Sequence, residues 1–174
     1  MTYDIHGQPG LRLCQLASGD LAAVLNLQNQ MMDALPDPLW YVLSTRQDQE
    51  ENLARGDIFG CRQGKTLVAF SVLTPWNARG EKAYAHKLGQ PVEDTFDIHD
   101  LIVHPDFRRR GIHSAFLQLF EEIARTLNGK ALYATIAPDN VPSVAGFEKA
   151  GYACVKIQPT YDGRLRGYFR KELR

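Results

Sequence analysis

Between residues 96 and 157 the apolar pattern switches back and forth between strand and helix, and this alternation narrows the choice of fold more than any other feature. Residues 96–103, "FDIHDLIV", read as a strand. Over about 111–128, Ile112, Phe116, Phe120, Ile123 and Leu127 recur at spacings of three and four, which predicts a helix with one buried stripe. Gln118, Glu121, Glu122 and Arg125 fall outside that stripe, and Asn128-Gly129 makes a C-terminal stop. A strand (131–137), a helix (about 140–150) and a strand (152–157) follow. Five alternating elements of this kind indicate layered α/β architecture.

The rest of the chain supplies compatible pieces. "LRLCQL" reads as a short strand, and Ser18 or Asp20 is placed to cap a helix running to about Met32. Pro36 and Pro38 forbid a continuous helix through "MMDALPDPLWYVL". Thr45 with Asp48 resembles a capping signal, and Gly56 suits the stop of the helix it opens. "IFGCR", "QGK" and "TLVAFSVL" read as strand, turn and strand. Residues 75–94 form the longest stretch without periodicity, and "RLRGYFRKEL" reads as a last strand. A length of 174 residues, 44% hydrophobic and 23% charged, suits a single globular domain over 1–174. Cys14, Cys61 and Cys154 are scattered and odd in number, as in a reduced intracellular chain. With no apolar leader and no membrane-length run, the expected compartment is the cytoplasm, away from membranes.

The turn joining the strand at 96–103 to the next helix reads "HPDFRRRGIHS". It sets Arg108, Arg109 and Arg110 against the positive end of a helix dipole, which is unfavourable unless an anion is present. Gly111 lets backbone approach a ligand closely. Together these features describe a phosphate-binding turn, with a solvated basic loop as the alternative. Twenty basic and twenty acidic residues cancel, so no global field draws the chain to nucleic acid, and no longer basic stripe extends the turn. "GCRQGKT" (60–66) has three residues between its glycines where a Walker A loop has four, and no helix follows. It reads as a hairpin turn.

"LIVHPDFRRRGIH" resembles the signature of the GNAT superfamily of N-acetyltransferases, whose turn reads Arg/Gln-x-x-Gly-x-Gly/Ala. "APDNVPSVAGFEKAGY" is similar to the superfamily's next motif, an Asn before a helix ending in a Gly–aromatic pair. The resemblance covers roughly 95–157. It implies a three-layer α/β (α+β) fold: a mixed, mostly antiparallel sheet flanked by helices, its two central strands splayed. It implies an enzyme that moves an acetyl group from acetyl-CoA, as cosubstrate and with no metal, to an amine of a small molecule or peptide. A homodimer stays open.

Carried onto this sequence, the resemblance places CoA pyrophosphate on the turn of Arg108, Arg109, Arg110, Gly111, Ile112, His113 and Ser114. Ile102, Val103, Asn140 and Phe147 complete the implied cofactor contacts. The Val103 N–H would hold the thioester carbonyl, and Asp97 stands where many relatives carry a glutamate base. A base is needed because an amine of pKa about 10.4 attacks only when neutral. Strand alternation puts Asp97 and His99 on one face with Leu101 and Val103, and Asp100 on the other; His99 and Asp100 are reserve bases.

Two positions depart from the pattern. His113 replaces the usual Gly or Ala of the turn while keeping its backbone N–H, and reads as a helix-surface residue. Phe147 falls where many relatives have a proton-donating tyrosine, leaving Tyr133, Tyr152 or Tyr161 as substitutes. A thiol of pKa about 8.5 leaves well without help, so transfer survives that loss. The alternative is a CoA-binding sensor with little transferase activity. For the acceptor, Trp40, Tyr41, Trp76, Tyr84, His86, Glu93 and Tyr161 lie in the regions that form the pocket in relatives. Aromatics beside carboxylates suit a cationic amine.

Overall fold

A computed structural model of the chain describes residues 2–160 and 163–173. The chain divides into two compact units: the first runs up to Leu73 and returns from Asp100 to Phe116, and the second holds Thr74–His99 and Leu117 onward.

In the first unit, β1 (Thr2–Asp4), β2 (Leu11–Gln15), β3 (Ile58–Gln63) and β4 (Thr66–Pro75, its last two residues in the second unit) form an antiparallel meander. Alternation drives it: Leu11 and Leu13 are buried while Arg12 between them is exposed and paired with Asp4. Helix α1 (Leu21–Asp33) buries Val24, Leu27, Gln28 and Met31, a spacing of three and four. A 3-10 turn at Ser18–Asp20 leads into it; α1 itself has no side-chain cap, and the Asp20 carboxylate instead accepts from the Ala17 N–H at 3.0 Å at the start of that turn. Helix α2 (Arg46–Arg55) opens on the expected capping box, Thr45 with Asp48, and stops at Gly56 in the left-handed region. Leu27, Met31, Leu53, Ile58, Phe70 and Ile102 share one core.

Strand β5 (Thr95–Val103) begins in the second unit and ends in the first. It runs parallel to β6 (Ala131–Ile136) from Thr95↔Ala131 to Ile98↔Ala134, and among the described residues the pairing stops there although both strands continue. β8 (Arg164–Glu172) pairs antiparallel with β6, and β7 (Ala153–Thr160) with β8. The eight strands form one mixed sheet, ordered β1-β2-β3-β4-β5-β6-β8-β7, flanked by helices. The "QGK" turn joins β3 to β4 with strand on both sides, so the Walker-like run is a hairpin.

The irregular stretch holds two single-turn helices, α3 (Trp76–Arg79) and α4 (Tyr84–Lys87). Helix α5 (Ile112–Thr126) buries Ile112, Phe116, Leu117, Leu119, Phe120 and Ala124. Leu127, expected in the buried stripe, is 58% exposed, because the helix ends one residue before it. Helix α6 (Val141–Lys149) buries Phe147, whose ring meets Tyr152 edge-on at 5.1 Å and Phe169 at 6.4 Å. Lys171 ties the end of β8 to Glu121 of α5 and to the Ala150 carbonyl.

Candidate active site

The arginine turn lies in the first unit. A 2.8 Å bond from the His104 N–H to the Val68 carbonyl fixes the end of β5, and a 3-10 turn at Pro105–Phe107 follows. Arg109 (φ 60°) and Gly111 (φ 74°) are both left-handed, which turns the chain sharply into α5. The first bond of the helix runs from the Ala115 N–H to the Gly111 carbonyl at 2.9 Å, so the first-turn N–H groups point out of the helix end. Ile112, 1% exposed, roots the turn, while Arg108, Arg109, Arg110, Gly111 and Ser114 face solvent. A Cβ added at Gly111 would find no atom within 4 Å, so the space beside its backbone is open.

The arginines are held apart. Arg110 lies over the Phe107 ring at 4.8 Å, and Arg108 Nη2 reaches Met31 Sδ at 3.8 Å. Among the described residues, none of the three is paired with a carboxylate. Three cations against a helix N-terminus therefore lack an internal counter-charge, and a polyphosphate is the chemistry that fits. An open cleft of about 400 Å³ in the same unit is lined in part by His104, Phe107, Asn26, Gln30 and Lys65. Single Arg→Ala changes here should weaken CoA more than dephospho-CoA wherever that arginine reaches the 3′-phosphate. The loss for an exposed contact should be about 1 kcal/mol or less and should shrink in salt. Titration calorimetry with both ligands at two salt concentrations measures it, and equal, salt-independent losses would indicate damage to the fold.

His113 is not the surface residue its position predicts. Burial pushes its imidazole down to about 4, so it is neutral at pH 7 and brings no charge to the turn. Ile102 gives its side chain to the core of the first unit, and Val103 is half-buried at the end of β5.

The second unit holds Asp97, 1% exposed, on β5 opposite Tyr133 of β6. Arg79 Nε donates to its Oδ2 at 3.1 Å and the Tyr84 N–H to the same oxygen at 3.0 Å. Burial raises the carboxyl to about 6 against the opposing pull of Arg79, the Tyr84 amide and His99. His99, two residues on and half-buried, shares a 3.0 Å bond between its Nε2 and Thr74 Oγ1. Arg79 also lies 5.1 Å over the Tyr84 ring, so one guanidinium fixes both α4 and the carboxylate. Nothing in the sequence singles out Arg79; an arginine in an aperiodic stretch gives no sign of a partner eighteen residues later.

The remaining expected residues are distributed over both units. Asn140 caps α6, its Oδ1 accepting from the Ser143 N–H at 3.3 Å, and Phe147 sits in the core at 3% exposure. Tyr133 and Tyr152 are buried, and burial raises both phenols. Tyr161 lies outside the described residues. Of the acceptor candidates, Tyr84 is buried, Trp40, Tyr41 and Trp76 are half-buried, and His86 and Glu93 are exposed. Asp100, a reserve base, is occupied by Tyr41, Ser44 and Gln49.

A family model described as the acetyltransferase (GNAT) family matches residues 22–152. A comparison with curated protein sequences found no match. Among solved structures, the ribosomal-protein-S18-alanine N-acetyltransferase of Escherichia coli is 18% identical, with a TM-score of 0.68 over 94% of each chain. An N-acetyltransferase of Staphylococcus aureus is 19% identical, with a TM-score of 0.70 over 94% of this chain and 99% of that one. The protein yncA of Salmonella typhimurium, solved with its cofactor acetyl-CoA, is 12% identical, with a TM-score of 0.71 over 95% of each chain. With its mixed sheet and its arginine turn, the chain belongs to the acetyltransferase (GNAT) family, whose members use acetyl-CoA, and it is an N-acetyltransferase.

Proposed function

We propose that the enzyme transfers the acetyl group of acetyl-CoA directly to a primary amine of a small molecule or a peptide, with Asp97 as the base. The observation that carries this reading is the carboxylate of Asp97, buried on β5 and raised to about 6. A base of that pKa is mostly ionised at pH 7 yet holds a proton well enough to take one from an ammonium. Asp97 accepts that proton, directly or through water; Oδ1 is the oxygen outside the bonds from Arg79 and Tyr84. The neutral amine then attacks the thioester carbonyl carbon. Negative charge gathers on the carbonyl oxygen, facing the Val103 N–H; the attacking nitrogen gives up its second proton to water, and the C–S bond breaks to leave the neutral amide and CoA thiolate. The turn of Arg108–Gly111 holds the pyrophosphate through backbone N–H groups and the arginines.

Phe147 cannot donate a proton, and its burial beside Tyr152 keeps it a core residue. The thiolate, with a pKa of about 8.5, takes its proton from water. Segment 34–45 belongs to the acceptor side in this reading, with Trp40 half-buried in it. The Escherichia coli ribosomal-protein-S18-alanine N-acetyltransferase, similar in fold, supports including peptide amines. Cys14, Cys61 and Cys154 are free thiols, which suits a cytoplasmic setting.

A panel of small amines and amino-terminal peptides, assayed for thiol release from acetyl-CoA, tests the proposal. Release above background for at least one amine, with the acetylated amine found by mass spectrometry, is expected. Acetyl-CoA binding with no amine-dependent release across the panel would leave a sensor.

A further inference from the structure

Asp100 has the least expected surroundings on β5. Its backbone is left-handed (φ 52°) in the middle of a strand, a conformation that among non-glycine residues Asp and Asn adopt most readily. Three neutral donors converge on its carboxylate: Tyr41 Oη at 2.9 Å, Ser44 Oγ at 2.6 Å and Gln49 Nε2 at 3.0 Å. Behind them lie two buried amides, Gln28 on α1 (2% exposed) and Gln49 on α2 (0%). Gln28 Nε2 donates to the Ser44 carbonyl at 2.8 Å, while Gln28 Oε1 accepts from Gln49 at 2.9 Å. Leucine at either position would pack without desolvating an amide, so burying both is sustained by their bonds.

The network converges on one short stretch. Tyr41 and Ser44 belong to the proline-bearing connection between α1 and α2, whose Leu39, Val42 and Leu43 are 54%, 37% and 48% exposed. Leu35 and Tyr41 pack on the core, and Asp100 with the glutamines behind it supplies a polar hold on residues 41–44. Asp100 is also three residues before Val103, about 10 Å along the same strand.

We propose that Asp100 is a positioning residue for the acceptor amine: its carboxylate latches residues 41–44 onto β5 and so sets how tightly the acceptor, not acetyl-CoA, is bound. The inference rests on the reading of 34–45 as part of the acceptor side. Asp100→Asn keeps the size of the side chain and tolerates a left-handed backbone, yet it turns one acceptor oxygen into a donor facing other donors. Asp100→Gly relieves the backbone and removes the latch altogether. Tyr41→Phe and Ser44→Ala each delete one donor and stand in if the Asp100 variants do not fold.

Two measurements decide it. Amide exchange over 34–45 should speed up at least tenfold in both Asp100 variants, and less in Tyr41→Phe and Ser44→Ala. With an amine that the wild type acetylates, acceptor KM should rise about tenfold or more in Asp100→Asn, while acetyl-CoA KM and kcat stay within about threefold. Unchanged exchange overturns the latch whether or not the protein is a transferase. Faster exchange with acceptor and acetyl-CoA KM moving together overturns the role in acceptor positioning and leaves a stabilising contact. No thiol release by the wild type with any amine overturns the acetyl-transfer reading, and with it the acceptor role, while the exchange result still judges the latch.

Discussion

Asp97→Asn should lower amine-dependent thiol release at pH 7 by about 10²- to 10⁴-fold, the usual worth of a general base, and leave acetyl-CoA affinity nearly unchanged. The two effects separate because the turn that carries the arginines begins at Arg108, eleven residues along the chain from Asp97. The pH profile supplies the sharper signature. Asp97 must be ionised to accept a proton, and its carboxyl is raised to about 6. Wild-type kcat/KM should therefore climb as pH rises through about 6 and then flatten. A carboxamide cannot take the proton, so the Asp97→Asn variant should rely on amine that is already neutral, about 1 in 2,500 molecules at pH 7 for a pKa of 10.4. Its residual rate should keep rising about tenfold per pH unit toward 10. Removing the opposing cation with Arg79→Met should move the wild-type inflection to higher pH, because Arg79 holds the carboxyl down. A variant that turns over like wild type near neutrality would clear Asp97 of the role. His99, half-buried two residues along the strand, would then be the next base to replace.

Gly111→Glu should abolish the thermal stabilisation that acetyl-CoA gives the wild type. A ligand at 100 times its Kd stabilises by about 2.7 kcal/mol, several degrees in a domain of this size. At Gly111 the backbone is left-handed (φ 74°), and no atom would meet an added Cβ within 4 Å. The packing would therefore accept a side chain; the backbone and the ligand would not. Gly111→Ala separates the two causes. Alanine should cost about 1 kcal/mol of stability through the left-handed backbone and keep a reduced ligand shift. Glutamate adds a negative charge where the proposed function places the pyrophosphate, and should remove the shift at millimolar acetyl-CoA. Differential scanning fluorimetry with and without ligand reads both. A full ligand shift in Gly111→Glu would mean that the cofactor approaches some other backbone.

Local chemistry was legible wherever neighbours in sequence decide the outcome. The capping box of Thr45 and Asp48, the stop at Gly56 and the hairpin at "QGK" stand where their residues predict. Helix α5 buries Ile112, Phe116 and Phe120 of its stripe and half-buries Ile123, while Leu127 leaves the stripe, because periodicity continues past the residue where the helix stops. These features depend on dihedral preferences and on a period of 3.6 residues, which a short window contains. The family itself was legible for the same reason, since its turn is one continuous run of side chains.

Tertiary structure decided which ionisable groups are buried and what they touch. Asp97, expected as the base, and Asp100, a reserve, are three residues apart on one strand. One is enclosed with Arg79 and the Tyr84 amide, and the other accepts from Tyr41, Ser44 and Gln49, up to 59 residues away. His113 reads as a surface histidine and is driven neutral by burial. The physical reason is common to all three. Desolvation and charge pairing depend on atoms within a few ångströms, and those atoms come from segments that only the folded chain brings close. The sequence alone determined the scaffold and the arginine turn, whereas the fold decided which carboxyl is buried and raised and which is held by Tyr41, Ser44 and Gln49.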